Sequence, residues 1–386
     1  MIRLDQPDLK TIEHIAQQNP HTISFAQGAL RIGGVDACIK EAVRAVALTD
    51  RADYYSHSLG IAPLRQAIAT YLATLHAVSL PAEQIAITHG SIGGIAALCL
   101  LLLDHGDEVL LPEPTYPAYF NSIALAKAVA RTVPAYELVA TTDSYAWRID
   151  LDLIVRSITP RTKMLVIAQP SNPAGVCLTR EQLATLVTVC SEQEIYLVVD
   201  EAYDNYFFDA PVVSATAYAV INPFVIRVGT FSKTFGMSGW RVGFIVAAAG
   251  LLQHLAAVHD GMIACPSVIG QYAAIAALDH QEVAARYTDY VRQSRDMALT
   301  LLTPVVAAGH IQMASPAAGF FLFIKTKHED TTALTQDILT NAAVALVPGR
   351  NFGPTGRPFM RLCFARLQEA VQQGCLRLVQ YYERYQ

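Results

Sequence analysis

Residues 224–243 read FVIRVGTFSKTFGMSGWRVG. The opening run, Phe224-Val225-Ile226-Arg227-Val228-Gly229, is short, mostly apolar and β-branched, which is the pattern of a strand buried on both faces. Lys233 follows the carboxyl end of that strand, the edge at which open α/β sheets bind ligands. A lysine amine forms imines with carbonyl compounds, and desolvation or a neighbouring cation lowers its pKa enough to make it nucleophilic. Arg241, eight residues on, offers a planar fork suited to a phosphate group. Taken alone, the segment reads equally as an imine lysine beside a phosphate clamp or as an ordinary loop lysine.

Outward from this strand, similar apolar runs occur at 85–88, 108–112, 163–168, 195–200 and 243–248, with helical patterns between several of them, as at 117–127 and 179–190. That alternation predicts an α/β fold whose large domain holds a mostly parallel sheet covered by helices on both faces; the sheet is expected to be seven-stranded. After Leu278 the pattern changes to a long charged helix at 281–302 and strands at 319–325 and 343–347. A short strand at 22–26 and a helix at 35–48 precede the sheet. The expected division is a large cofactor-binding domain, 46–278, and a smaller α+β domain built from both termini, 1–45 and 279–386.

Composition narrows the function classes. The 386 residues are 53% hydrophobic and 16% charged, ample apolar mass for a large core. A formal net charge of -5 without any basic run gives no electrostatic footprint for nucleic acid or an anionic membrane. The longest apolar run, 95–103, stops at Asp104 and is too short to span a bilayer. Seven scattered cysteines form no CxxC pair, so free thiols in a reducing compartment are expected, and no metal site. The start, Met1-Ile2-Arg3-Leu4, lacks the apolar block of a signal peptide, and a cytoplasmic location is expected.

Four further segments fall at the same sheet edge as Lys233. The run 163–168 leads into a turn that exposes the amide of Asn172, otherwise an ordinary Asn-Pro turn. The run 195–200 ends on Asp200, followed closely by Tyr203, although an aspartate there equally caps a helix. Thr88-His89-Gly90-Ser91-Ile92-Gly93-Gly94 leads from a strand into the apolar helix and offers free N–H groups at the positive end of a helix dipole. Beyond the run 108–112, Tyr116 offers a ring to stack on a flat ligand, or simply to pack the core.

An imine lysine, an anion site, an aromatic stacker, a carboxylate and an amide together match the needs of pyridoxal 5′-phosphate. The chain resembles the fold-type I, class I/II aminotransferases, in the branch of prokaryotic-type aspartate, alanine and aromatic aminotransferases, from about Ile23 to Phe364. The resemblance implies that Lys233 holds the cofactor as an internal aldimine and moves the substrate proton, and that Asp200 pairs with the pyridine nitrogen. It implies that Asn172 and Tyr203 donate to the ring's 3′-oxygen and that Tyr116 stacks on the ring. Gly90, Ser91, Ile92, Thr230, Ser232 and Arg241 would meet the phosphate. Tyr55 would reach the phosphate of a partner subunit, which implies a homodimer with shared active sites. Arg361 would grip the substrate α-carboxylate with Gly28 and Asn172 alongside, where context-free reading gives only an edge-strand surface arginine.

The expected reaction is transamination between an L-amino acid and a 2-oxo acid, 2-oxoglutarate as the second substrate. The alternatives are carbon–sulfur β-elimination or amino-acid oxidation on the same fold, or a non-enzymatic cofactor-sensing regulator. This chain departs from the family at Gly28-Ala29-Leu30-Arg31-Ile32-Gly33-Gly34, where a proline-containing segment is usual. It departs again at Ile92, where one dicarboxylate-using branch carries a lysine. Arg31 and Arg350 are the candidates to replace that charge.

Overall fold

The computed structural model describes residues 8–209 and 213–385. Seven strands form the central sheet: β1 (Ile85–Thr88), β2 (Glu108–Pro112), β3 (Val129–Val133), β4 (Thr162–Ala168), β5 (Tyr196–Asp200), β6 (Val225–Thr230) and β7 (Gly243–Val246). Their spatial order is β1-β7-β6-β5-β4-β2-β3. β7 runs antiparallel to both neighbours and the other pairs are parallel. Six of these strands coincide with the apolar runs in the sequence. β3 has no such run because, unlike the other edge strand β1, it is mostly half-exposed, and it carries Arg131 and Thr132.

Alternation along the strands shows why the runs are unbroken. Leu165, Ile167, Leu197, Val199, Val225 and Val246 point into one apolar cluster, while Met164, Val166, Val198, Ile226, Val228 and Ile245 point into another on the opposite face. Both faces are covered, so the residues between buried ones are buried too. The helix Gly90–Leu102 covers one face, and Thr179 starts Arg180–Glu192 with a capping box to Gln182.

A second, four-stranded antiparallel sheet has the order Ile311–Gln312, Phe321–Thr326, Phe359–Cys363, Val347–Pro348. The strand expected at 343–347 is split in two. Val344–Ala345 pairs in parallel with Ile23–Ser24, and after Leu346 the chain crosses to pair Val347–Pro348 with Phe359–Cys363. The apolar run is continuous because both halves are buried, which hides the change of partner. One cluster runs from beneath the seven-stranded sheet to Phe320, Leu322 and Phe364, so the two sheets share a core. The boundary expected between residues 45 and 46 falls inside helix Ala37–Ala47, which packs on helix Val268–Asp279. No helix among the described residues is long and apolar enough to cross a membrane.

The short turn Gly349–Phe352 shows how tightly the second sheet is closed. A Cβ on Gly349 would lie 2.1 Å from the carbonyl oxygen of Gly356 and 2.5 Å from that of Phe359. These are backbone atoms of a buried strand and turn that cannot step aside cheaply. Gly349→Ala is expected to lower the free energy of unfolding by about 2 kcal/mol, read as a lower urea midpoint with an unchanged slope.

Candidate active site

The carboxyl edge of the central sheet is set by backbone register. Gly243 stands opposite Thr88 on one side and Thr230 on the other. A Cβ there would lie 2.6 Å from the carbonyl carbon of Gly90 and 2.7 Å from the Ser91 nitrogen, so only glycine permits this approach. It brings the amino end of helix Gly90–Leu102 beside the turn that carries Lys233. His89 precedes that helix without capping it through a side chain, leaving the first N–H groups to serve an anion. Gly90 takes a left-handed φ of 69°, and a Cβ on it would lie 2.4 Å from Arg241 Nη2. Arg241, itself at φ 56°, donates to Ser238 O (2.8 Å) and His89 O (3.3 Å) and so lies across the helix end. Ser91 and Ile92 are half-buried beside it.

Thr230 closes β6 and caps the single turn Phe231–Thr234, accepting from Ser232 N at 3.1 Å. Its hydroxyl donates to Val242 O (3.1 Å) and lies 2.9 Å from Ser232 Oγ. Lys233 Nζ donates to Gly28 O at 2.5 Å and lies 5.9 Å from the centroid of the Tyr203 ring. Burial, with the positive charges of Arg361 and Arg241 adding to it, pushes the Lys233 amine down to about 8. Tyr206 OH donates to Lys233 O at 3.0 Å and fixes the backbone below.

Asp200, the last residue of β5, is buried, and burial pushes its carboxyl up to about 6 against the hydrogen bonds that favour its charge. Tyr119 OH donates to Oδ2 at 2.7 Å and Ala202 N to Oδ1 at 3.2 Å. Turns, not a helix, occupy 202–205, so Asp200 is no helix cap. Asn172 Nδ2 donates to Tyr203 OH at 3.4 Å, and its Oδ1 accepts from Arg361 Nη1 at 3.1 Å. Tyr116 stands edge-on to Tyr119, centroids 5.6 Å apart.

Arg361 is not an edge-strand surface group. Its strand is flanked on both sides, and its side chain is fully buried. The guanidinium lies 4.3 Å from the Phe321 centroid and 4.8 Å from that of Phe352. Nη2 donates to Ala26 O at 2.7 Å, and Nε is buried with no hydrogen-bond partner. An unpartnered buried guanidinium N–H is costly, and a carboxylate ligand satisfies it. Gly28 lies against this group, where a Cβ would be 2.9 Å from the Phe321 ring and 3.7 Å from Arg361 Nη2. Arg366 holds the segment by donating to Ser24 O (2.8 Å), Gln27 O (2.5 Å) and Ala29 O (2.8 Å).

Lys233, Asp200, Tyr203, Asn172, Arg361 and Gly28 are therefore one connected site, with Gly90, Ser91, Thr230, Ser232 and Arg241 at one end. Tyr55 is not part of it within one chain, being 88% exposed. Arg31 is engaged by Glu13 at 2.7 Å and by Gln27 at 2.6 Å. Arg350 lines a different cavity with Thr11, Ile12, Asp330 and Pro348. The sequence reading missed Tyr119, Arg366 and the Phe321 and Phe352 rings. Tyr119 carried a signal, since it stands three residues beyond Tyr116 in the same aromatic segment; an arginine whose partners are backbone carbonyls and one thiol carries none.

Asp200 titrates near 6 in the folded chain and near 3.9 when unfolded, so the native state keeps the proton longer. Stability from this group is therefore greatest at low pH and falls as pH rises through about 4 to 6. Asp200→Asn removes that loss. In protein stripped of cofactor, the variant is expected to unfold at a higher temperature than the parent at pH 8, by the equivalent of about 3 kcal/mol, with the difference vanishing below about pH 4.

A sequence-family model described as aminotransferase class I and II matches residues 20–378. A probable N-acetyl-LL-diaminopimelate aminotransferase of Bacillus subtilis (strain 168) is 28% identical over 384 residues, 96% of this chain and 91% of the relative. An aspartate aminotransferase of Pyrococcus horikoshii is 27% identical over 343 residues, 88% of this chain and 85% of the relative. The solved structure of aspartate aminotransferase from Thermus thermophilus with maleate superposes with a TM-score of 0.86 at 25% identity, covering 98% and 97% of the two chains.

Proposed function

This chain belongs to the class I and II aminotransferases, and on that premise we propose that it transfers the amino group of an L-amino acid to a 2-oxo acid, 2-oxoglutarate foremost, with Lys233 as the covalent attachment point of the cofactor. Enzymes of the family depend on pyridoxal 5′-phosphate. The observation that carries the reading is the meeting of a desolvated lysine amine, a buried carboxylate and a guanidinium with an unpartnered Nε in one site.

The residues fit that cofactor. The uncapped helix end with Arg241, Ser91, Ile92, Thr230 and Ser232 has the donors and charge for a phosphate. Asp200, costly to ionise alone, gains its charge beside a protonated ring nitrogen. Asn172 and Tyr203 supply donors for the ring oxygen, and Tyr116 a ring to stack on. Bound there, the cofactor supplies an electron sink for the pair left when a substrate Cα–H bond breaks.

The chain's own groups do the rest. With a pKa near 8, the Lys233 amine takes and returns a proton near neutral pH without a large driving-force penalty. The Gly28 carbonyl and the Tyr206 hydroxyl hold that side chain and its backbone. Arg361 binds the substrate carboxylate in its fork, while Phe321 and Phe352 keep water from the guanidinium. The same proposal takes the chain as a homodimer in which Tyr55 serves the partner's phosphate site, and residues 46–278 as the cofactor-binding domain.

Lys233→Ala is expected to lower turnover of an amino donor with 2-oxoglutarate by about 10³-fold or more and to abolish covalent trapping of the cofactor by borohydride. Undiminished turnover would sink the assignment. Arg361→Lys keeps the charge but loses the fork and fills less of the aromatic slot. The expected result is a rise of about tenfold to a hundredfold in KM for the amino acid, with cofactor absorbance unchanged.

A further inference from the structure

Arg227 breaks the apolar run of β6, and its side chain is 0% exposed. Its Nε donates to Glu201 Oε2 at 2.7 Å and its Nη2 to Asp204 Oδ2 at 2.5 Å. Glu201 also accepts from Ala215 N (2.6 Å) and Ser214 Oγ (2.7 Å). Asp204 Oδ1 accepts from Thr234 Oγ1 at 3.3 Å. The guanidinium lies 5.1 Å from the Phe244 ring centroid, and Nη1 is buried without a hydrogen-bond partner. From helix Ala62–His76, Tyr71 and His76 face the same cluster, and burial together with the Arg227 charge pushes His76 down to about 4.

A core residue chosen for stability alone would be apolar here, because a buried ion pair often stabilises no better than packed hydrocarbon. What the ions supply is direction. Glu201 directly follows Asp200, Asp204 directly follows Tyr203, and Thr234 directly follows Lys233. The ring of contacts Arg227–Glu201, Arg227–Asp204 and Asp204–Thr234 thus joins the two turns that carry the site residues, from the face of the sheet opposite the Ile226 and Val228 cluster. Besides the Glu201 N to Val228 O bond at 2.8 Å, these contacts tie the 200–204 turn to β6 and to the turn that follows it.

We propose that Arg227 is a positioning residue which, through Glu201, Asp204 and Thr234, fixes Asp200 and Tyr203 relative to Lys233. This rests on the roles given to those three residues above. Two variants of the holoenzyme test it. Arg227→Met removes the hub but strands two buried carboxylates, a change that unfolds some proteins. Thr234→Val removes only the hydroxyl contact to Asp204 and leaves the ions in place, so it decides the matter if Arg227→Met does not fold.

The readouts are the pH midpoint of the bound-cofactor absorbance change, kcat and KM for the amino donor, and the thermal midpoint. The expected result is a midpoint displaced by about 0.5 to 1 pH unit, a threefold to tenfold change in proton affinity at Lys233. A fall in kcat of about tenfold or more from the misplaced groups is expected with it, while KM stays level because Arg361 is untouched. A lower thermal midpoint with unmoved absorbance midpoint and kcat overturns the positioning role and leaves a structural one. A pH-dependent band that survives in Lys233→Ala overturns the reading of Lys233 itself. A band lost in Lys233→Ala but unmoved in Arg227→Met and Thr234→Val overturns the positioning role alone.

Discussion

The close approach of Gly243 to the backbone of Gly90 and Ser91 is the contact on which the site's geometry rests. An antiparallel strand inserted between β1 and β6 places one residue opposite both Thr88 and Thr230 at the sheet edge. With hydrogen as its side chain, the helix end of Gly90 sits beside the turn of Lys233, and Arg241, two residues upstream of the glycine, reaches across to His89 O. Any larger residue forces these elements apart and moves an anion held at the helix end away from the lysine. The left-handed φ of Arg241 belongs to the same arrangement, since it turns the chain from the Lys233 turn back into β7.

Burial then does chemical work at both ends of the site. It brings Lys233 down to about 8 and Asp200 up to about 6, so two groups whose ordinary values lie far apart are both drawn toward neutrality. In a wet cleft the amine would stay protonated and the carboxylate would be indifferent to a cationic ring. The hydrogen bonds present temper this without cancelling it: Tyr119 and Ala202 keep Asp200 ionisable, and Gly28 O gives the amine a partner that carries no charge. A carboxylate at that position would hold the amine protonated.

Much of this was legible in the chain because a sheet buried on both faces writes itself as unbroken apolar runs, and the polar residues that end those runs are conspicuous. Asp200, Asn172 and Lys233 were visible for that reason, and so was the helix after Gly90. β3 was not, because an exposed edge strand carries no apolar period. The split at Leu346 was hidden because both partners bury it. Tyr119, Arg366 and the aromatic slot around Arg361 depend on contacts between residues far apart in sequence, which no local pattern encodes. Arg31 looked available as a free cation only because its partner Glu13 lies on a different element.

Three of the buried arginines divide the labour of charge around the site, and their partners tell them apart. Arg366 spends its donors on carbonyl oxygens and shapes the segment around Gly28. Arg227 faces two carboxylates, which leaves that cluster with an excess of negative charge and nothing to offer an anion. Arg361 also meets only neutral acceptors, the Ala26 carbonyl and the Asn172 amide oxygen, but unlike Arg366 it keeps Nε unsatisfied, between two aromatic rings. Its charge is uncompensated in a low-dielectric slot, where an anion is held far more strongly than at the surface. That imbalance makes Arg361, of the three, the group suited to a carboxylate ligand, and it sets the carboxylate end of the site opposite the phosphate end at Arg241.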